Sequence, residues 1–324
     1  MKTHKRLWDR FISRENFAHA AYRALRNKKK TGEIRRFLRD MPGQTERVRQ
    51  LVLSGKFTTS QYRVKIVHEP KRREIYILPF YPDRIVHHAL MNVLMPIWDA
   101  MFSRDSYCCR PGFGIHRASL RTMEFARRRK YFLQCDVRKF YPSINHKVMY
   151  DIIARKVRDK KILAIIQNII DSKEGETNLP IGNFCSQWFG NLYLNELDTF
   201  VKQVLRVKDY IRYCDDFCLF SDDKRELNGW LAEIRQFLFD KLKLTFSYAE
   251  IAPTNAGVDF MGYRHFPNVV KLRKSTMRRV MRRIKRIERI PIETRRADIH
   301  IRSQIASMHG WAGHASHNMR IPAI

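Results

Sequence analysis

A pair of adjacent aspartates inside an apolar segment is the feature that most restricts how this chain can fold. Asp215 and Asp216 lie between Ile211 and Phe217, and residues 210–221 read as two short strands around the pair. Neighbouring carboxylates in a buried hairpin repel each other and lose hydration, so they need a cation nearby. An exposed hairpin tip is the alternative, and the pair alone does not decide between the two.

A third carboxylate lies near the end of another apolar strand, predicted over residues 131–137. This residue is Asp136. Phosphoryl transfer uses carboxylates that hold two divalent cations, one activating the attacking hydroxyl and one steadying the leaving pyrophosphate. Mg²⁺ prefers oxygen ligands, with phosphates and water completing its coordination. Asp136, Asp215 and Asp216 are therefore the candidate catalytic and metal-binding residues, and two Mg²⁺ ions are the candidate cofactor.

Helices and strands occur in mixed order, which predicts an α+β fold rather than a parallel doubly wound sheet. A hairpin with a basic tip is predicted over residues 62–80. Further strands are predicted at 244–250, 257–264 and 269–272. Helices are predicted within 1–55 and at 82–101, 115–129, 145–157, 160–170, 184–205 and 224–242, followed by a basic helical C-terminal part.

The charge balance points to a polyanionic partner. The chain has 63 Lys and Arg against 32 Asp and Glu, a formal net charge of +31. Such an excess is self-repulsive in a compact chain, and nucleic acid is the natural partner because phosphates neutralise it. No apolar run is long enough to cross a membrane, and residues 1–10 lack the apolar core of a signal peptide. The six cysteines contain no CxxC pair, so we expect reduced thiols and a cytoplasmic protein.

Several segments, in the right order over about residues 60–290, resemble motifs of reverse transcriptases. Tyr213-Cys214-Asp215-Asp216 resembles the YxDD motif. The stretch from Asp136 to Ile144 resembles the first catalytic motif, in which an aromatic residue follows the aspartate by five positions. Asp259-Phe260-Met261-Gly262-Tyr263 resembles the primer-grip element. Residues 81–86 and Pro111-Gly112 resemble fingers motifs of the bacterial group.

The resemblance implies a right-hand polymerase with fingers, palm and thumb, an antiparallel palm sheet and a basic helical thumb. On this basis residues 1–60 form a basic helical N-terminal extension and residues 61–130 form the fingers. Residues 131–265 form the palm with interleaved fingers elements, and residues 266–324 form the thumb.

The resemblance also implies roles for individual residues. Asp136 and Asp215 would bind both metal ions, with Asp216 nearby and the Val137 carbonyl as a backbone ligand. Tyr141 would be the steric gate, whose ring leaves no room for the 2′-hydroxyl of a ribonucleotide. A core aromatic is the alternative for Tyr141. The primer end would be held by Phe260, Met261, Gly262 and Tyr263.

The basic tip of the predicted fingers hairpin is a candidate triphosphate site. Lys71, Arg72 and Arg73 would make charge-assisted contacts with the nucleotide phosphates, with Lys65 as a further candidate. The sequence leaves open which of Arg72 and Arg73 makes the contact. A solvated basic turn is the alternative.

The stretch from Leu179 to Gln187 indicates a subfamily. Most reverse transcriptases carry Gln-Gly here and end the motif in Ser-Pro, whereas this chain has Ile181 before Gly182 and Gln187 after Ser186. The pattern resembles reverse transcriptases of diversity-generating retroelements, in which cDNA copied from a template-repeat RNA acquires substitutions at template adenines and then replaces a variable region of a target gene.

The presence of Ile181 in place of the usual glutamine has a physical consequence. Ile181, Gly182 and Gln187 would contact the incoming nucleotide. An apolar side chain in place of a hydrogen-bonding one removes a restraint on the nascent base pair, so discrimination rests on fewer contacts. The alternative is that Ile181 only packs a variant pocket.

The C-terminal region reads as an amphipathic helix. In residues 275–290 an apolar stripe recurs at a spacing of three and four residues, formed by Met277, Val280, Met281, Ile284 and Ile287. Like charges at that spacing repel, which favours a phosphate partner for the basic residues Lys274, Arg278, Arg279, Arg282, Arg283 and Arg286. We expect His309, Trp311, His314 and His317 to form a packed or nucleic-acid-facing end rather than a metal site.

The resemblance implies template RNA, cDNA product and deoxynucleoside triphosphates as partners, together with a small basic accessory variability determinant protein. We expect no maturase-like, endonuclease or RNase H domain. Two other enzymes remain open: a retron-type or phage-defence reverse transcriptase, and an RNA-dependent RNA polymerase, against which Tyr141 counts. The non-enzymatic alternative is an RNA-binding scaffold with a degenerate polymerase fold.

Overall fold

The computed structural model describes residues 3–26, 28, 31–68 and 72–315, and it confirms the predicted α+β class. The helices are α1 (Trp8–Ile12), α2 (Arg14–Leu25), α3 (Gly32–Arg39), α4 (Met41–Leu53), α5 (Ile85–Asp99), α6 (Ile115–Arg128), α7 (Phe140–Ser143), α8 (His146–Ala154), α9 (Lys160–Ile170), α10 (Phe184–Thr199), α11 (Lys224–Leu242), α12 (Lys274–Glu288), α13 (Ile292–Ala297) and α14 (Ile299–His314). The strands are β1 (Arg63–Val67), β2 (Arg73–Ile77), β3 (Tyr131–Val137), β4 (Tyr210–Tyr213), β5 (Asp216–Ser221), β6 (Phe246–Pro253), β7 (Val258–Phe260), β8 (Tyr263–His265) and β9 (Val270–Leu272).

The chain divides into two units, each built from three separate stretches. Unit 1 consists of Met1–Ser103, Val137–Phe200 and Ile234–Ser247. Unit 2 consists of Arg104–Asp136, Val201–Glu233 and Tyr248–Ile324. The division of the chain into an extension, fingers, palm and thumb stays a prediction. Within the described ranges, no helix combines the length and hydrophobicity needed to cross a bilayer.

Unit 1 is mainly helical, and its centre is the contact between α2 and α5. The buried face of α2 is formed largely by small side chains, Ala20, Ala21 and Ala24, which allow a neighbouring helix to approach closely. Asp159 joins distant parts of this unit. Its carboxylate caps α9 by accepting from the Ile162 amide, and it also accepts from the Trp8 amide at 3.0 Å.

The predicted fingers hairpin is present in unit 1 as the antiparallel pair β1–β2. Its register runs from Arg63 opposite Ile77 to Val67 opposite Arg73. Lys71 lies outside the described residues. Arg72 and Arg73 are both exposed, so either guanidinium is accessible to a ligand.

Unit 2 contains the sheet that carries the aspartates, with strand order β4-β5-β3-β6. Strands β3 and β5 pair antiparallel from Tyr131 opposite Ser221 to Asp136 opposite Asp216. Helix α6 covers the apolar part of this sheet, where Phe125 and Ala118 join Phe132 and Phe220 in one core cluster. The same face continues past this cluster towards the paired aspartates.

The second sheet of unit 2, β7-β8-β9, differs from the sequence expectation. One strand was predicted over 257–264, but the chain turns back at Met261 and Gly262, with φ of +55° and +84°. Phe260 then pairs with Tyr263 across a tight hairpin. The prediction was wrong here because a two-residue turn without a strong turn signature interrupts an otherwise apolar run.

Helix α12 packs its apolar stripe against α14. Val280, Ile284 and Ile287 are buried with Ile305 and Met308 of α14. Met281, which the spacing had placed in the stripe, is 40% exposed. Its position next to Val280 turns it away from the contact by about 100°, since an α-helix advances that angle per residue.

Truncation of the buried stripe should destabilise unit 2. We expect Ile284→Ala to lower the free energy of unfolding by about 2–5 kcal/mol, because it removes buried methyl groups and leaves a cavity. Met281→Ala on the exposed side of the same helix is the control, expected to change stability by less than about 0.5 kcal/mol. Denaturant unfolding of both variants measures this, and equal losses would contradict the packing described.

Candidate active site

The pairing of β3 with β5 brings Asp136 and Asp216 together. Residues directly opposite in an antiparallel pair project from the same face of a sheet, with side chains close enough to interact. Asp136 and Asp216 form such a pair although they are 80 positions apart in sequence. Going along this face, Phe132 opposite Phe220 is buried under α6, Gln134 opposite Cys218 follows, and the two carboxylates come last.

Asp215 is held next to this pair by the β4–β5 turn. Tyr213 pairs with Asp216, so the loop between the strands consists of Cys214 and Asp215 alone. Cys214 has a φ of +57°, as two-residue hairpin loops require at one or both positions. The turn therefore places all three predicted carboxylates in unit 2, two of them opposite each other and the third at the tip of the adjoining hairpin.

Gln134 and Arg273 extend the site, and sequence reasoning missed both. The Gln134 side-chain amide donates to Asp216 Oδ1 at 3.2 Å and to the Asp259 carbonyl at 2.9 Å. Arg273 pairs with the Asp259 carboxylate. Gln134 thus ties the predicted primer-grip segment to the aspartates. The available signal was strand alternation, since Gln134 stands two positions before Asp136 and shares its face.

Three carboxyl groups lie close together at this site, so their negative charges repel one another. Burial raises the pKa of Asp216 to about 8, and the charges of Asp136 and Asp215 act in the same direction. The hydrogen bond from Gln134 and the positive charge of Arg273 oppose this rise. In the metal-free chain, Asp216 therefore holds a proton near neutral pH. A divalent cation would neutralise the crowded carboxylates and displace that proton, so the negative charge of the site favours cation binding.

The carboxylates do not form a complete metal cage by themselves. Among the described residues, no group of three or more His, Cys, Asp or Glu side chains is arranged to hold a metal ion. The donor chemistry of the aspartates fits Mg²⁺, because this ion prefers carboxylate oxygens and completes its coordination with substrate phosphates and water. Asp136 and the Asp215-Asp216 turn are the residues that would supply these oxygens.

The profile of the family described as reverse transcriptase (RNA-dependent DNA polymerase) matches residues 69–265. The chain belongs to the reverse transcriptase family. The matched range includes strands β3 and β5, the turn between Tyr213 and Asp216, and the hairpin at Met261.

Two curated relatives of this reverse transcriptase are bacterial. Protein YkfC of Escherichia coli K12 is 23% identical over 235 residues, which cover 58% of this chain and 61% of that protein. Group II intron-encoded protein LtrA of Lactococcus lactis is 22% identical over 260 residues, covering 57% of this chain and 43% of LtrA. The chain thus spans less than two thirds of the length of either relative.

Solved structures support the same fold. Apo telomerase from Candida tropicalis, truncated of its C-terminal domain, superposes with a TM-score of 0.51 at 13% sequence identity. The superposition covers 71% of this chain and 60% of the telomerase chain. The reverse transcriptase fold predicted from the motifs is therefore confirmed.

The predicted gate residue, Tyr141, lies in unit 1 on the short helix α7. Its neighbour Phe140 is buried at 3% exposure, whereas Tyr141 is only partly buried, which favours the gate over the core-aromatic alternative. A Cβ at Gly190 would lie 3.2 Å from the Tyr141 ring, so this glycine leaves room for the ring. The Tyr141 carbonyl accepts from the Leu179 amide at 2.9 Å, joining α7 to the Leu179–Gln187 motif.

Ile181 and Gly182 lie against the β1–β2 hairpin within unit 1. The Tyr76 amide donates to the Ile181 carbonyl at 2.7 Å. Gly182 has a φ of +125°, and a Cβ there would collide with the Tyr76 carbonyl, so only glycine fits. Ile181 is partly exposed and Gln187 is exposed, whereas Ser186 is buried and donates to the Pro180 carbonyl at 2.7 Å. Of the three residues of this motif that are predicted to contact the nucleotide, Ile181 and Gln187 therefore have accessible side chains.

The primer-grip residues divide into buried and accessible positions. Phe260 and Tyr263 are fully buried, and the Tyr263 ring stacks on Trp311 at 4.9 Å. Met261 and Gly262, at the turn, are partly exposed. The buried aromatics position the turn, and the turn itself is the part that a ligand can reach.

The basic face of α12 and the C-terminal packing follow the sequence expectation. All six predicted cations on α12 are exposed: Lys274, Arg278, Arg279, Arg282, Arg283 and Arg286. His314 accepts from or donates to Ser119 Oγ at 2.7 Å and stacks on His116, so the predicted packed end is confirmed for His314 and Trp311. His309 is exposed, and His317 lies outside the described residues.

The raised pKa of Asp216 makes metal-free stability depend on pH. Below about pH 4 the carboxyl is protonated in both folded and unfolded chains, and above pH 8 it is ionised in both. Stability should therefore fall as pH rises from about 4 to 8. In chelator, we expect Asp216→Asn to melt several degrees above the wild type at pH 8, with a much smaller gap at pH 5.

Thermal melting of both proteins across this pH range provides the measurement. Asp151→Asn, at an exposed position on α8 paired with Lys147, is the control and should leave the pH profile unchanged. A gap between wild type and Asp216→Asn that is independent of pH would contradict the electrostatic description of the site.

Proposed function

We propose that this chain is an RNA-directed DNA polymerase that extends a DNA strand on an RNA template with two Mg²⁺ ions. The observation that carries the proposal is the facing pair Asp136 and Asp216, with Asp215 at the adjoining turn. Crowded carboxylates of this kind serve phosphoryl transfer, and the family membership of the chain supports the same reaction class.

Each residue group has a role in this proposal. When bound, the two Mg²⁺ ions activate the 3′-hydroxyl and neutralise the triphosphate. Asp136 and Asp215 hold them, with the Val137 carbonyl as a further ligand and Asp216 alongside. Tyr141 excludes a ribose 2′-hydroxyl, and Arg72 or Arg73 pairs with the phosphates of the incoming nucleotide. The exposed cations of α12 bind the backbone of the template–product duplex.

Removal of one carboxylate should abolish primer extension. We expect Asp136→Asn to lower the rate of Mg²⁺-dependent extension on an RNA template by about 100-fold or more, as losses of charged catalytic groups do. Asp151→Asn, at the surface, is the matched control and should retain the wild-type rate. Full extension by Asp136→Asn would reject the catalytic role of Asp136, whereas absence of extension by the wild type would reject the polymerase and favour an RNA-binding scaffold.

We further propose that the polymerase copies a template-repeat RNA with low fidelity at adenines, as part of targeted sequence diversification. The support is the residue pattern Ile181, Gly182, Ser186 and Gln187, which resembles that of reverse transcriptases of diversity-generating retroelements. A small basic accessory protein is the expected partner, and two basic proteins would share the RNA as a common polyanion. An intron-associated reverse transcriptase is the second candidate, because one relative is named as group II intron-encoded.

Substitution at Ile181 tests the fidelity claim. A glutamine there would restore a hydrogen bond next to the nascent pair, and one hydrogen bond of about 1 kcal/mol changes discrimination roughly fivefold. We therefore expect Ile181→Gln to lower misincorporation opposite template adenine about fivefold. Ile181→Val keeps the apolar β-branched side chain and should leave the error rate unchanged.

Sequencing of cDNA copied from a defined RNA measures errors opposite each of the four bases. Equal adenine error rates in wild type and Ile181→Gln would remove the low-fidelity proposal while leaving the polymerase proposal intact.

A further inference from the structure

Three cysteine sulfurs meet beside the aspartate turn in unit 2. Cys108 Sγ lies 2.6 Å from Cys214 Sγ and 3.2 Å from Cys109 Sγ, and none of these residues forms a disulfide. Cys214 immediately precedes Asp215. The spacing of the cysteines in the sequence gave no sign of this cluster, because 106 positions separate Cys108 from Cys214.

Backbone hydrogen bonds hold the two segments together. The Arg212 amide donates to the Asp105 carbonyl at 2.8 Å, and the Tyr107 amide donates to the Arg212 carbonyl at 3.0 Å. Residues 105–107 thus run beside β4 as a short parallel bridge, with Ser106 opposite Arg212. The buried Arg212 guanidinium also donates to the Cys214 carbonyl at 2.9 Å. The proximity of Cys108 and Cys214 is therefore fixed by the main chain.

Backbone conformation does not account for cysteine at these positions. Cys109 and Cys214 both have a φ of +57°, a region in which non-glycine residues are uncommon and Asn or Asp is favoured. The three thiols also differ in access. Cys109 is exposed, Cys214 is partly exposed, and Cys108, between them, is 5% exposed. An oxidant can therefore reach the Cys109 thiol at the surface, whereas the buried Cys108 thiol is placed to form the disulfide.

We propose that Cys108 and Cys214 form a reversible disulfide under peroxide oxidation, through Cys109, and that this bond switches the polymerase off. The inhibitory part rests on the proposed function, whereas the formation of the bond does not. The site requires no movement of separate elements, because the sulfurs are already in contact.

Hydrogen peroxide is the oxidant in the proposed formation of the Cys108–Cys214 disulfide. The Cys109 thiolate attacks one peroxide oxygen and breaks the O–O bond, giving Cys109 sulfenic acid and hydroxide, which becomes water by taking up the proton that the thiol had released. The Cys108 thiol attacks the Cys109 sulfur and expels a second water. The resulting bond joins neighbouring residues, whose Cα atoms are about 3.8 Å apart and so closer than ordinary disulfides allow. Cys214 then attacks the Cys108 sulfur, releasing Cys109 as a thiol.

The net reaction oxidises two thiols and reduces one peroxide to two waters. A dithiol reductant reverses it by exchange. Formation of the Cys108–Cys214 bond shortens the Sγ–Sγ distance from 2.6 Å to about 2.05 Å and fixes the two-residue turn that carries Asp215, which shifts the turn by several tenths of an ångström. Catalytic groups must be held within about 0.5 Å of their productive geometry, so displacement of Asp215 and Asp216 should reduce turnover. We expect extension to fall at least tenfold.

Peptide mapping tests the bond independently of activity. The metal-free full chain is treated with peroxide, quenched, and alkylated before trypsin digestion. Trypsin leaves Cys108 and Cys109 together in residues 105–117, since Pro111 blocks cleavage, and leaves Cys214 with Cys218 in residues 213–224. We expect these peptides to be crosslinked with the loss of two hydrogens, and fragment spectra to place the bond at Cys108 and Cys214.

Primer extension before and after peroxide, and after dithiothreitol, tests the switch, with each variant compared to its own reduced activity. Cys108→Ser should lose both the crosslink and the peroxide sensitivity, and Cys214→Ser is a second variant with the same expectation. Cys109→Ser should slow the reaction. Cys185→Ala, which removes a buried thiol of α10 in unit 1, is the control and should behave as the wild type.

The outcomes separate the two proposals. Absence of the crosslink, or equal peroxide sensitivity in wild type and Cys108→Ser, would overturn the thiol site. A crosslink that leaves extension unchanged would overturn the switch. Lack of extension by the reduced wild type would reject the polymerase, while the crosslink would still decide whether the thiol pair forms.

Discussion

The antiparallel pairing of β3 with β5 is the constraint on which the rest of the site depends. Side chains alternate along a strand, so a slip of one residue would move Asp136 away from Asp216 and turn Phe132 out of the core. The phenylalanines under α6 therefore hold the register that brings the carboxylates together. Hydrophobic packing at one end of the sheet sets the electrostatics at the other end.

Bringing the three carboxylates together is electrostatically unfavourable, and neighbouring groups reduce this repulsion only in part. Gln134 donates a hydrogen bond to Asp216, and the positive charge of Arg273 lowers the pKa of Asp216. Burial nevertheless raises the pKa of Asp216 to about 8. A site of this kind is least favourable when empty and ionised, and most favourable with a divalent cation bound. The proposed chemistry and the metal-free pH dependence thus have one physical origin.

The parts of the site that the sequence predicted are those with strong local signals. Asp136 lies near the end of the apolar strand β3, and Asp215 and Asp216 lie where β4 turns into β5 between apolar flanks, so their placement was predictable. The hairpin at Met261 was missed because its turn lacks an Asn-Gly signature. Gln134, Gly190 and the Cys108–Cys214 contact depend on tertiary pairing between distant segments, which one sequence without relatives does not reveal.

In the proposed polymerase, strand β3 and the β4–β5 turn together form one cation site. Iron-directed cleavage tests it, because Fe²⁺ that occupies a Mg²⁺ site generates radicals with ascorbate and oxygen and cuts the backbone nearby. We predict cuts both near Asp136 and near Asp215, suppressed together by excess Mg²⁺. Cleavage at only one of these segments, or cuts that Mg²⁺ does not suppress, would contradict the account.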